Sequence, residues 1–78
     1  GKYADFNTYA LSGDVFVNNL SDQDGVVNIY NTFGQLLQSE HLDAKESRLV
    51  DIQNYKGLVI VSFNSGGRTT SKKVVMNY

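Results

Sequence analysis

The one imidazole in the chain, His41, stands beside Glu40, and a histidine next to a carboxylate is the pairing that activates a serine or threonine nucleophile. His41 lies in a polar stretch, so the pair reads as surface decoration and no catalytic residue is expected. Glycosidase chemistry needs two carboxylates across a cleft, and a chain of 78 residues leaves hardly any room for one. Asp22 and Asp24, followed by Gly25, have the opening of a calcium loop, in which a sharply turning backbone gathers oxygen ligands. The closing glutamate of that loop is missing, and an Asp-Gly hairpin explains the same residues, so neither a metal site nor a cofactor is expected. Asn19-Leu20-Ser21 matches the glycosylation acceptor pattern, a match too short to carry weight. Tyr3, Tyr9, Tyr30, Tyr55 and Tyr78 offer rings for a sugar platform, but their spread along the chain favours packing at sheet margins. Arg68, Lys72 and Lys73 form the only basic cluster, too small for nucleic acid.

The elements that hold these residues must fit one small unit spanning residues 1–78. A domain of this size buries only roughly 60% of the surface its unfolded chain exposes. With no cysteine and a single histidine it lacks disulfide and metal staples, so its apolar core must hold it alone. Hydrophobic residues at 41% and charged residues at 19% describe a folded chain. The net charge of −1 gives no pull toward nucleic acid or an anionic membrane. No apolar run approaches the roughly 20 residues that span a bilayer, so no direct membrane insertion is expected. Gly1–Asp5 does not read as a signal peptide. A polar opening without an initiator Met points to a piece of something longer.

Short runs of Val, Ile, Phe and Tyr, separated by Gly, Asn, Asp and Ser, predict an all-β fold, a seven-stranded antiparallel Ig-like sandwich of two sheets. The predicted strands are Phe6–Leu11, Asp14–Asn19, Gly25–Asn31, Gln35–Glu40, Ser47–Ile52, Gly57–Phe63 and Thr69–Asn77. Ser12-Gly13-Asp14 and Asp24-Gly25 are each expected to close a hairpin. Asn31-Thr32-Phe33-Gly34 reads as a type I turn ending in a left-handed glycine, and Asn64-Ser65-Gly66-Gly67 is the strongest loop signal. Leu42–Glu46 is the expected longest connection, exposed and crossing between sheets. Alternation assigns Val15, Val17, Val27, Ile29, Val50, Ile52, Val59, Val61, Phe63, Val74 and Met76 to the core, together with Leu37. The run Leu58–Val61, apolar on both faces, predicts a central strand covered on two sides. Lys72 and Lys73 on the last strand are expected to protect a sheet edge.

Four blocks of the chain, Val27–Leu37, Val50–Ile52, Lys56–Val61 and Thr70–Met76, resemble in order and spacing the C-terminal sorting domain of type IX secretion cargo proteins of Bacteroidetes-type bacteria. The resemblance covers roughly Gly13 to Tyr78. It implies a C-terminal domain that directs its N-terminal cargo domain from the periplasm through an outer-membrane translocon. It also implies a sortase-like signal peptidase that then removes the domain, with the cargo released or attached to the cell surface. Residue by residue, Asn31 and Gly34 match the family's turn, Gly57 the glycine before its central strand, and Lys72 or Lys73 the lysine opening its last strand. Val59 replaces an aromatic residue, Tyr55-Lys56 replaces a segment that often holds proline, and the family's Tyr-Pro-Asn-Pro opening is missing. Translocon recognition is accordingly expected at Gly57, Lys72, Lys73, Val74, Val75 and Met76, with a further expectation that the domain can pair through an edge or swapped strand as a homodimer.

A rival reading is an Ig- or fibronectin-like binding module for a glycan or protein ligand. A second is a structural spacer. Position separates the first from sorting, because a sorting domain ends its protein and a binding module sits between domains.

Overall fold

In the computed structural model, which describes residues 6–77, apolar side chains alternate along seven strands and close one core. The strands are β1 (Phe6–Leu11), β2 (Asp14–Asn19), β3 (Gly25–Tyr30), β4 (Leu36–Leu42), β5 (Ser47–Val50), β6 (Gly57–Ser65) and β7 (Arg68–Met76). They form a three-stranded sheet ordered β1-β2-β5 and a four-stranded sheet ordered β4-β3-β6-β7, with every neighbouring pair antiparallel. The all-β, Ig-like sandwich expected from the alternation is therefore observed. Each element of it is set by the two-residue period of a pleated strand.

Val15, Val17 and Val50 face the core from the three-stranded sheet, and Val27, Ile29, Val59, Val61, Phe63, Val74 and Met76 face it from the other. Ile52 reaches the same core from the segment after β5. Two buried apolar residues lie outside the expected core. Phe6 stacks on Phe63 with ring centroids 4.9 Å apart, and Leu42, expected in an exposed connection, is fully buried at the end of β4. Leu37, expected in the core, is only partly buried against it. The β3–β4 register slips between Ile29 and Tyr30, so Tyr30 pairs with Leu36, Ile29 pairs with Gln38, and Leu37 becomes the extra residue of a bulge.

The Ser12-Gly13 turn closes the β1–β2 hairpin as expected, both residues having positive φ of 50° and 85°. Asp24-Gly25 does not close a hairpin, because β2 and β3 lie in different sheets. Glycine is required at residue 25 for another reason: a Cβ there would stand 2.4 Å from the Phe63 ring and 2.8 Å from the Asn64 carbonyl. The ring of Phe63 occupies the space a side chain would need. The β4–β5 turn crosses between sheets, as expected of that connection, although the segment between β5 and β6 is the longer one.

The open sides of the sandwich are each bridged by an inward-pointing cation. Where β4 meets β5, Arg48 donates to Glu40 Oε1 at 2.7 Å and to Glu46 Oε2. Where β1 meets β7, Lys72 Nζ donates to the Phe6 carbonyl at 2.8 Å and sits 5.6 Å from the centroid of its ring. Charges turned inward on edge strands hinder another chain from continuing the sheet.

Candidate functional site

The strand ladder brings most of the residues singled out in the sequence to one end of the four-stranded sheet. Gly57 pairs with Met76, Leu58 with Val75, Val59 with Val74, Ile60 with Lys73 and Val61 with Lys72. On the other side of β6, Ile60 pairs with Tyr30, which leads into the Asn31–Gly34 turn. This end is called the Gly57 end below. The opposite end carries the β2–β3, β4–β5 and β6–β7 connections and is called the Gly25 end.

The turn is built by one side chain. Asn31 is buried, its Oδ1 accepts from the Phe33 and Gln35 amides at 2.9 and 3.0 Å, and its Nδ2 donates to Gln35 Oε1 at 2.7 Å. The Gly34 amide donates to the Asn31 carbonyl at 3.1 Å and Gly34 has φ of +84°, the left-handed glycine expected there. An asparagine that replaces backbone partners in this way fixes the turn and leaves Phe33 at its tip, 87% exposed.

Gly57 has φ of +113°, a value that side chains make costly, while a Cβ there would meet nothing closer than 3.9 Å. Its requirement is thus conformational and not spatial. It follows Gln53 and Asn54, both with φ of 58°, and together these residues turn the chain from β5 into β6.

The six residues of the expected recognition set divide by direction. Val74 and Met76 are core side chains, and Lys72 is tied to Phe6. Lys73 and Val75 face outward, and Val75 is 63% exposed. Both lysines lie in mid-strand, not at the opening of β7, which starts at Arg68.

At the Gly25 end, sequence reasoning missed a junction. Asn19 is fully buried, and its Nδ2 donates to the carbonyls of Gln23 at 2.7 Å and Asp43 at 3.0 Å. Its Oδ1 accepts from the Ser21 amide at 3.0 Å and hydroxyl at 2.8 Å, while its own amide donates to the Glu46 carbonyl at 2.8 Å. The residue read as a glycan acceptor instead ties the β2–β3 connection to the β4–β5 turn. The Asp43 amide donates to Glu46 Oε1 at 2.8 Å. That bond first, and Arg48 second, hold the Glu46 carboxyl below its ordinary range, while Glu46 and Glu40 hold the Arg48 guanidinium more firmly charged.

His41 and Glu40 do not cooperate: Glu40 points inward to Arg48, and His41, on the outer face, lies 3.4 Å from Asp24 and 3.6 Å from Asp43. Asp24, His41 and Asp43 are all exposed, with potential ligand atoms within 4.8 Å of one another, and Asp22 instead meets Lys45 at 3.4 Å. Exposed side chains of this kind contribute little to stability. Tyr9 stacks on Phe16 outside the three-stranded sheet, Tyr30 lies outside the four-stranded sheet and Tyr55 packs against the core. These three do not converge on one platform; Tyr3 and Tyr78 lie outside the described residues.

Glycines, a turn asparagine and a lysine-bearing last strand thus gather on the four-stranded sheet of a two-sheet sandwich. Residues 11–77 match the family model for the secretion system C-terminal sorting domain, and the chain belongs to that family, the sorting domains of type IX secretion, which are not enzymes. No curated protein matches the chain, and no solved structure does. Membership makes the chain a sorting signal for export across the outer membrane, acting with the type IX machinery.

Proposed function

We propose that this chain is the C-terminal domain of a longer secreted protein, and that it delivers its N-terminal cargo from the periplasm to the outer-membrane translocon by presenting the Gly57 end of its four-stranded sheet. After passage a sortase-like signal peptidase removes the domain, and the cargo is released or attached to the cell surface. The observation that carries this reading is the family match across residues 11–77. The division of the expected recognition residues supports it further. Lys73 and Val75 stand outward for contact, whereas Val74, Met76, Lys72, Gly57, Asn31 and Gly34 hold the surface in shape.

The test fuses residues 1–78 behind a periplasmic reporter in a bacterium with a type IX system and locates the reporter. Appearance of the reporter on the surface or in the medium, shortened by the mass of the domain, is the expected result. Retention in the periplasm overturns the sorting function, and export without shortening overturns the cleavage step alone.

A further inference from the structure

The strand β6 is interior to its sheet, and its run Leu58–Val61 carries apolar side chains on both faces, the pattern of a strand covered twice. The structure covers it once. Val59 and Val61 are fully buried, whereas Leu58 and Ile60 remain half-buried on the outer face, with no further layer of described residues over them. The ladder extends this apolar row across all four strands: Leu36 pairs with Tyr30, Tyr30 with Ile60, and Leu58 with Val75. Leu36 is 55% exposed, and Phe33 projects from the adjoining turn. Toward the Gly25 end the same face turns polar, through Ser39, Asn28, Ser62 and Ser71, with Val26 as a lone apolar residue beyond them, so the contiguous apolar surface lies at the Gly57 end. Contiguous exposed apolar surface of this kind marks a place where a partner sits.

Charge identifies the class of partner. Among the described residues, Lys73, paired with Ile60, is the only Lys, Arg, Asp or Glu that faces outward from the strands of this sheet. A second copy laid with its apolar end on this one would bury two lysines among strand residues that offer no carboxylate, and an uncompensated charge opposes burial. We infer that the apolar Gly57 end of this face, centred on Leu36, Ile60 and Val75, docks onto a protein of the secretion machinery whose surface is apolar and carries a carboxylate opposite Lys73. The inference rests on the sorting function proposed above and assigns it a surface. The outer face of the other sheet, with Leu11, Tyr9, Phe16 and Leu49, has no cation and supplies a matched control.

The test uses the same reporter fusion with three changes: Phe33→Ser with Leu36→Ser and Val75→Ser, Lys73→Glu alone, and the control pair Leu11→Ser with Leu49→Ser. Thermal melts of the purified fusions establish that each variant is folded. The expected result is a fall in export of about tenfold or more for the first two, the scale of lost hot-spot contacts, and wild-type export for the control. A photo-crosslinking residue at position 75 is expected to form an adduct with an identified component of the type IX machinery. If the wild-type fusion is exported and the folded Lys73→Glu and triple variants are exported equally well, the docking surface is overturned while sorting stands. A crosslink that yields only a dimer of the chain, or only lipid, also overturns it, as does binding of the fusion to anionic phospholipid vesicles that the triple substitution abolishes. Failure of the wild-type fusion to leave the periplasm is the separate outcome that sinks the sorting function.

Discussion

Asn19 shows how much one side chain can decide. It satisfies two carbonyls and one amide in segments that no strand ladder joins, and removing it leaves buried groups without partners. Asn19→Ala is expected to destabilise the domain by about 1–3 kcal/mol, measured by chemical denaturation, with no loss of secondary structure in the remaining folded fraction. The two positions that require glycine, 25 and 57, differ in kind. Gly25→Ala drives a methyl group into the Phe63 ring and is expected to cost about 1–3 kcal/mol by overpacking. Gly57→Ala meets no obstruction and is expected to cost a similar amount, about 1–3 kcal/mol, through its positive φ. The two mechanisms separate on enlarging the neighbouring space: Phe63→Leu in the same chain rescues part of the loss at Gly25 and none at Gly57. In sequence Asn19 stands out only as a glycosylation match, because its structural role depends on partners at residues 43 and 46 as well as 21 and 23, which no local pattern announces. Gly57 and the Asn31 turn were legible, since a turn's chemistry is written in neighbouring residues.

At the scale of the element, alternation revealed all seven strands, the edge strand β1 with its bounds Phe6–Leu11 among them, and missed the end of β4. The inner face of β4 reads Gln38, Glu40, Leu42, because Glu40 is turned in to meet Arg48, and one leucine among polar residues gives no period. The end of that strand was consequently assigned to a loop. The Asp24-Gly25 pair misled for the opposite reason: its local chemistry fits a hairpin, but its glycine answers to the ring of Phe63, thirty-eight residues away in sequence. The β4–β5 side has its own dependence on acidity. Because the folded Glu46 carboxyl is held below the ordinary value of 4.5, its contribution is complete above that pH and is lost as pH falls through the lower folded value. Thermal midpoints are therefore expected to decline in acid below about pH 4.5, and Glu46→Gln is expected to flatten that part of the decline. On the other side, Lys72→Met keeps the hydrocarbon stem but removes the bond to the Phe6 carbonyl; a modest loss of stability is expected, of about 1 kcal/mol.

For the whole molecule, thirteen buried apolar side chains among the described residues, twelve from the two sheets and Ile52 from the segment after β5, form one core, with no disulfide to hold the chain when that core opens. A single cooperative transition is expected, with coincident loss of near- and far-ultraviolet circular dichroism. Paired substitution of Lys72 and Lys73 by alanine is expected to lower export more than it lowers stability, because only Lys72 has a structural bond to lose. Equal export of a folded double variant would remove the lysines from recognition.

The direction of the last strand also has a mechanical meaning. β1 begins near the Gly25 end, β7 finishes at the Gly57 end, and β7 is held to β6 through nine paired residues. Tension applied at these two strand ends runs along the strands, so the bonds of the β6–β7 ladder share it in shear instead of breaking one after another as in a zipper. A domain drawn forward from its final strand while a bulky cargo drags behind would resist tearing in just that loading direction. Single-molecule pulling between the chain ends is expected to need a larger rupture force than pulling between Gly57 and Met76, which pair at the open end of the β6–β7 hairpin, so that the same bonds open in sequence.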